Sequence, residues 1–355
     1  MADLSQQLQA QVLAAGEAKR ALTIVGGGTK AFMGREVDAA SERLELSGHS
    51  GILSYHPVEL VLTVRAGTRL SDIEAALAKH RQMLSFEPPR LGTASTIGGT
   101  LACNQSGPGR PWWGSVRDQV LGVRLINGLG EPLRFGGQVM KNVAGYDVSR
   151  LQAGAMGGLG VITEVSLKVL PQPATQCTLK LATSPEDAIA IMNRCALESR
   201  PLTAACWHQG VLRLRLSGAH SAVDATIARW EGEVDEDGDL FWQQLRDQQL
   251  ALFASGEMLW RFSVRPSAPL ATLDGGEWLL DWGGAQRWYR GPAVKASMEA
   301  LAAAAGGQIS LYRGGDRLQE VMHTQPLALQ QLQQRLKQAF DPDHLFNPGR
   351  VYSWM

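Results

Sequence analysis

The chain has 355 residues, of which 45% are hydrophobic and 19% charged, and its 34 Lys and Arg balance 34 Asp and Glu to a formal net charge of zero. That length exceeds the usual single domain, so it implies two domains or one with a large insertion, and the composition excludes a long disordered tail. Balanced charge without a Lys/Arg cluster excludes the footprint of a nucleic-acid binder, and no apolar stretch approaches the ~20 residues of a membrane span, so the expected location is the cytoplasm, with membrane contact only through partners.

Leu4, Leu8 and Val12 at i, i+4, i+8 predict an amphipathic N-terminal helix, followed by a short apolar strand at Ala21 to Val25 that runs into three glycines. LVLTVRAG reads as a strand, and the helix after it carries Leu70, Ile73 and Leu77 on one face, with Ser71 and Glu74 expected to form an S-x-x-E capping box. Glycine becomes dense from 87 to 160, interrupted by the strand VLGVRLI (120 to 126) and closed by GVITEVSLKVL (160 to 170), a β-rich region with functional loops.

The pattern changes after LPQP (170 to 173). A strand TLKLA precedes Ser184, Pro185 and Asp187, an N-cap with Pro at the first helical position and an acid at the third. The alternating LRLRL (212 to 216) and a helix bearing Val223, Ile227 and Trp230 complete a β-α-β-β-α order of the split βαβ kind. Strands at EWLLDW, QRWYR and QISLY, a helix over about 293 to 305, and a final helix marked by Leu329, Leu332, Leu336 and Phe340 lead to FDPDHLFNPGR, a Pro/Asn/Gly turn.

The first glycine run, ALTIVGGGTKAFMG, has two chemical readings. Gly26-x-Gly28-x-x-Ala31 formally fits the dinucleotide fingerprint, with Glu45 near the offset of a ribose contact, although KAFMGREVD is a poor helix. Alternatively the run is a phosphate nest, in which bare N–H groups converge on an anion beside Thr29 and Lys30. A second block, GTASTIGGTLACNQSGPGR (92 to 110), offers another length of bare backbone. A single nucleotide phosphate does not need two such loops, whereas a dinucleotide with a large planar ring does.

TIVGGGTKA, HPVELVLTVRAGTRLSDIEAAL, EPPRLGTASTIGGTLACNQSG, RPWWGSVRDQVLGVRLINGLGE and MKNVAGYDVSRLQAGAMGGLGVITEVSLKVLPQP, in this order, resemble the PCMH-type FAD-binding domain of the vanillyl-alcohol-oxidase flavoprotein family, and DPDHLFNPGR resembles its C-terminal return segment. GRPWWGSVRD, MKNVAGYD and SLYRGGDR are most similar to FAD-binding subunits of glycolate-oxidising complexes. The resemblance implies an α+β fold: a two-subdomain FAD-binding domain over 1–173, a smaller α+β cap over 174–324, and a segment over 325–355 that returns to the first domain. It places Gly26, Gly27, Gly28, Thr29 and Lys30 at the FAD diphosphate, Thr96, Gly98, Gly99, Cys103, Asn104 and Gly107 along diphosphate and isoalloxazine, and Gly160, Val161 and Ile162 beside the adenosine. Relatives that tether the flavin do so through a His or Cys in the first loop; here Thr29 and Lys30 stand there, implying noncovalent FAD.

The family reading further implies a second flavin subunit and an iron–sulfur subunit as partners, and a small 2-hydroxy acid as substrate of the complex. No catalytic residue is named by the sequence. Related hydroxy-acid oxidisers share an H-x-G-D-G-N metal segment; YRGGDR (312 to 317) keeps Asp316 but has Arg313 for the histidine, and a permanent cation repels a metal ion, so no metal is expected. Arg313 is a candidate carboxylate clamp or an ordinary ion-pair partner, and Lys141 a candidate to stabilise the reduced flavin. Tyr146 and Asp147 read as loop anchors, Trp112 and Trp113 beside Arg110 and Arg117 as flavin cover or core, and His208, His323 and His344 as isolated histidines. The four cysteines, Cys103, Cys177, Cys195 and Cys206, are spaced for neither a disulfide framework nor paired metal ligands and read as buried thiols. A stand-alone FAD-dependent 2-hydroxyacid dehydrogenase, a structural subunit with a decayed flavin site, and an NAD-binding Rossmann enzyme are the rival readings.

Overall fold

The computed structural model describes residues 3–137, 147–254, 256–273 and 275–355. Lys141 and Tyr146, two of the candidates above, lie outside them. The N-terminal helix Ser5–Glu17 buries Leu8, Val12 and Ala15 and delivers the chain into the strand Leu22–Val25, which pairs in parallel with Glu42–Glu45. Between these strands the described chain is turns and bends without a helix. A dinucleotide fingerprint requires a helix there to receive the phosphate, so the Rossmann reading fails on its first structural requirement.

A five-stranded antiparallel sheet follows, in the spatial order Ile52–His56, Val61–Arg65, Val161–Lys168, Val120–Ile126, Pro132–Gly136. Its central strand, Val161–Lys168, is buried along nearly its whole length, with Thr163 and Ser166 buried among its apolar residues and Glu164 and Lys168 half-buried. Helix Leu70–Ala78 packs Leu70, Ile73 and Leu77 on the core side as expected, but Arg69 is its N-cap and Ser71 lies inside the first turn with Oγ 3.4 Å from Asp72 Oδ1. The expected capping box is therefore not formed; Glu74 pairs with Arg90 instead.

Residues 175–313 build one eight-stranded antiparallel sheet, in the order Glu233–Val234, Thr175–Ala182, Val211–Gly218, Leu202–His208, Glu277–Asp281, Gln286–Arg290, Leu259–Ser263, Gln308–Arg313. Ser184 caps helix Pro185–Leu197 by accepting the Asp187 N–H at 3.1 Å, as its sequence predicts. The β-α-β-β-α order is present, but its three strands are part of an eight-stranded sheet that the later strands complete. A hydrophobic cluster holding Met33 and Met156 together with Trp242, Phe253, Trp288 and Tyr312 joins this sheet to the first part of the chain.

The last helix, Leu327–Phe340, departs from the amphipathic expectation: Leu329 and Leu332 are 43% and 46% exposed, and Lys337 is its buried residue. Lys337 Nζ sits 2.6 Å from Asp341 Oδ2 and donates to the carbonyls of Gly158 and Phe346 at 2.9 and 2.8 Å. Asp341 in turn accepts the N–H groups of Leu345 and Phe346. This buried pair turns the chain back so that Phe346 bridges Leu22, and Asn347 clamps Ile24 N–H and the Met156 carbonyl at 2.9 and 2.6 Å.

A candidate cofactor site beneath two glycine loops

The two glycine-rich stretches, about 70 residues apart in sequence, meet at one cavity of about 330 Å³. Of the residues singled out in the sequence, Gly26, Gly27, Gly28, Thr29, Lys30, Thr96, Gly98, Gly99, Cys103, Gly160 and Ile162 line it. Three do not. Asn104 and Gly107 line a smaller neighbouring cavity, and Val161 faces the core of the five-stranded sheet.

The loops differ in what their glycines do. A Cβ on Gly27 would stand 1.6 Å from the Ala94 carbonyl oxygen, and one on Gly26 2.5 Å from Thr96 Oγ1, so these residues are bare because the second loop presses against them. Gly28, at φ +69°, has open space where its side chain would be. Thr29 Oγ1 and Ser95 Oγ, 2.9 Å apart, complete the junction. The N–H groups of Gly27, Gly28, Thr29 and Lys30 meet no acceptor among the described residues. Those of Ile97, Gly98 and Gly99 donate to Thr68 O, Ala66 O and Thr96 Oγ1. These three donors of the second loop are spent within the protein, whereas the four of the first loop are not.

Lys30 is 8% exposed, and among the described residues its only hydrogen-bond partner is Thr29 Oγ1 at 3.4 Å, with no carboxylate in ion-pair reach. Burial lowers its pKa, and Cys103 raises it. A buried, unpaired ammonium costs several kcal/mol, so a site of this kind is built for an anion. Arg350 adds a second cation, its Nη2 donating to Ala31 O at 2.6 Å and its pKa lowered by burial. Apolar side chains of Ile24, Met33, Leu46, Met156 and Ile162 supply the rest of the wall. Anion donors at one place and apolar faces elsewhere suit a ligand that is part diphosphate and part ring.

Asn347, Arg350, Met156 and Gly157 also line the cavity without having been singled out, although NPGR in the return segment was the signal for the first two. Arg313 is engaged: Nη1 donates to Phe253 O at 2.5 Å, Nη2 to Gln248 Oε1 at 3.2 Å, and the guanidinium stacks 4.4 Å over Phe32. Among the described residues it is neither a free clamp nor an ion-pair partner. Asp316 Oδ1 accepts the Leu318 N–H. Asp147 anchors its loop by capping Val148–Leu151, and His208 is a buried histidine 2.8 Å from Glu277. Arg110 stacks on Trp282 and Arg215 on Trp113, while Trp112 packs into the core. Cys195 and Cys206 are buried as expected; Cys103 and Cys177 are partly exposed, and all four are free thiols.

Over 353 residues, which is 99% of this chain and 98% of the relative, the sequence is 45% identical to the glycolate oxidase subunit GlcE of Escherichia coli strain K12. The chain belongs to the GlcE family. Residues 2–136 match a model described as an FAD binding domain, and the cofactor is FAD. This GlcE-family chain is also 34% identical to the glycolate oxidase subunit GlcD of Bacillus subtilis over 139 residues, 39% of this chain and 29% of GlcD. A D-lactate dehydrogenase of Anaerostipes hadrus shares 30% identity over 187 residues, 52% of this chain and 39% of the relative, so the family lies among FAD-linked oxidoreductases with hydroxy-acid dehydrogenase relatives. The fold of the GlcE-family chain matches an alkyldihydroxyacetonephosphate synthase with a TM-score of 0.66 at 14% identity, covering 97% of this chain and 74% of that one. It is the expected α+β arrangement of a PCMH-type flavoprotein. Among the described residues no helix is long and apolar enough to cross a membrane.

Proposed function

We propose that this chain is the FAD-carrying subunit of a complex that oxidises glycolate to glyoxylate, with a second flavin subunit and an iron–sulfur subunit as partners that pass the electrons onward. End-to-end similarity to GlcE is the observation that carries this reading. When bound, FAD supplies the two-electron acceptor for the hydroxy acid's C–H bond. The protein's part is to bind and orient it: Gly27 to Lys30 offer four free N–H groups and a buried ammonium to the diphosphate, and the second loop, from Thr96 through Gly98, Gly99 and Cys103, holds that cradle in shape. Gly160 and Ile162 lie along the cavity, with Val161 anchoring their strand from behind.

We take the FAD to be noncovalent. The first loop has no Cys or His, and burial pushes the Cys103 thiol up, which keeps it protonated and a poor nucleophile. The division into 1–173, 174–324 and 325–355 is supported by the confinement of one sheet to 175–313 and by the bridge of Phe346 back to Leu22. Membrane contact through the partners and a cytoplasmic location complete the reading.

The test has two arms. Glycolate-dependent dye reduction by the assembled complex is to be lost when this subunit is omitted and restored when FAD-loaded chain is added back; unchanged turnover without it refutes the proposal. Anaerobic mixing of the isolated FAD-loaded chain with glycolate then separates the rivals, because rapid bleaching would make it a stand-alone dehydrogenase. Purified chain that retains no flavin would make it a structural subunit.

A further inference from the structure

A second roomy cavity, of about 220 Å³ against about 330 Å³ for the cofactor cavity, shares no lining residue with it. Helix Pro185–Leu197 forms one wall: Ile191, Arg194, Cys195 and the C-cap Glu198 fall at i, i+3, i+4 and i+7, a single helix face. Leu181 and Leu214 come from the paired strands Thr175–Ala182 and Val211–Gly218, and Trp230 closes the space just beyond helix His220–Ile227. Strand alternation sends the neighbours of Leu214 to the other face of the sheet, where Arg215 meets Glu87 from the first part of the chain at 2.7 Å. The cavity therefore lies on the sheet face turned away from Glu87.

Its floor and rim differ in chemistry. Leu181, Ile191, Leu214 and the Trp230 ring are apolar, and burial pushes the Cys195 thiol up to about 11, which leaves that group uncharged at neutral pH. Glu198 is spent within the protein: its Oε2 accepts Trp230 Nε1 at 3.2 Å and lies 3.5 Å from Arg229 Nε and 3.7 Å from Arg200 Nε. Two rim charges are not spent. Among the described residues, neither Arg194 nor Glu231 has an ion-pair partner within 4 Å. One free guanidinium and one free carboxylate around an apolar floor complement a ligand that carries a carboxylate, an ammonium and an apolar body. An apolar α-amino acid bears all three on one carbon, and the volume suits a molecule of leucine or phenylalanine size.

We propose that this cavity is a binding site for an apolar α-amino acid such as leucine, with Arg194 taking the carboxylate, Glu231 the ammonium, and Trp230 with Leu181, Ile191 and Leu214 the side chain. The site goes beyond the flavin function proposed above and does not depend on it.

Calorimetric titration of the FAD-loaded chain tests it with L-leucine, 4-methylpentanoate, which lacks the ammonium, 3-methylbutylamine, which lacks the carboxylate, and glycine, which lacks the apolar body. Leucine is expected to bind more tightly than the other three. Arg194→Gln and Glu231→Gln, both at exposed positions where the fold tolerates them, are each expected to weaken leucine about 3- to 10-fold, the size of one hydrogen bond at a solvent-facing rim. Arg194→Gln is expected to leave the amine unaffected, and Glu231→Gln the acid. Ile191→Trp fills the cavity and is expected to abolish leucine binding while the bound flavin is retained. Absence of leucine binding in the wild type, equal affinity in the wild type and both glutamine variants, an analogue that binds as tightly as leucine, or leucine binding that survives Ile191→Trp overturns the proposal. None of these results touches the glycolate function, which fails separately if turnover is unchanged when this subunit is omitted.

Discussion

Replacing Lys30 by Met is expected to move stability and cofactor affinity in opposite directions. Met keeps the length and most of the apolar stem but removes a charge that is 8% exposed and, among the described residues, has only Thr29 Oγ1, at 3.4 Å, as a hydrogen-bond partner. Without flavin that charge is a liability, and relieving it should stabilise the chain by about 1–3 kcal/mol, the range seen when buried ionic groups are replaced by apolar ones. In a chain of this size the melting temperature of flavin-free protein should rise by a few degrees. With flavin the same ammonium becomes a charge-assisted donor to the diphosphate, worth about 1.5–3 kcal/mol, so FAD should dissociate about 10- to 150-fold more readily. Differential scanning calorimetry with and without FAD, together with quenching of FAD fluorescence on titration, reads both quantities. A Lys30→Met protein that melts lower without flavin, or holds FAD as tightly as the wild type, would show that the ammonium has a partner other than the cofactor and would refute the argument.

Gly27→Ala should strip the flavin from protein recovered after gel filtration, because the new methyl meets the Ala94 carbonyl oxygen at 1.6 Å and must separate the two loops; Gly28→Ala, at φ +69° in open space, should cost only about 1–2 kcal/mol of backbone strain and keep it. Equal flavin retention in the two variants would sink the distinction. Asp341→Ala should lower the urea midpoint by the equivalent of about 3–5 kcal/mol, since it leaves buried Lys337 uncompensated and frees the Leu345 and Phe346 N–H groups. A loss under about 1 kcal/mol would be at odds with a buried pair. Asp281, whose pKa is raised from 3.8 to about 7, binds its proton more tightly folded than unfolded, so its contribution is full below pH 3.8 and lost as pH climbs through about 7. That difference corresponds to about 4 kcal/mol, and Asp281→Asn should accordingly be stabilising at pH 8 and near neutral at pH 4; the same effect at both pH values would contradict it.

Local chemistry made several parts of this protein legible in its sequence. Ser184 with Pro185 and Asp187 specifies a helix start whatever surrounds it, and the β-branched and apolar residues of GVITEVSLKVL at 160 to 170 specify a strand. Three consecutive glycines ahead of Thr29 and Lys30 carried the anion-binding reading, and the ordered motifs up to residue 173 carried the family. Where an expectation failed, another residue had taken the place the sequence pattern assigned. Ser71 does not cap its helix because Arg69 takes that place, and Leu329 and Leu332 stay exposed because the final helix is held through Lys337 and Asp341 rather than an apolar stripe.

The amino-acid order by itself determined that this chain would be an α+β flavoprotein with two stretches of bare backbone, because turn geometry, strand burial and glycine freedom are properties of a few neighbouring residues. Which arginine was left without a partner was decided only by the folded chain. Arg313 and Arg261 look alike in sequence, yet one is consumed by Phe253, Gln248 and Phe32 and the other faces a cavity unmatched. Availability of a charge depends on what strands and loops from elsewhere bring within about 3 Å of it, a hydrogen-bond distance that no local pattern encodes.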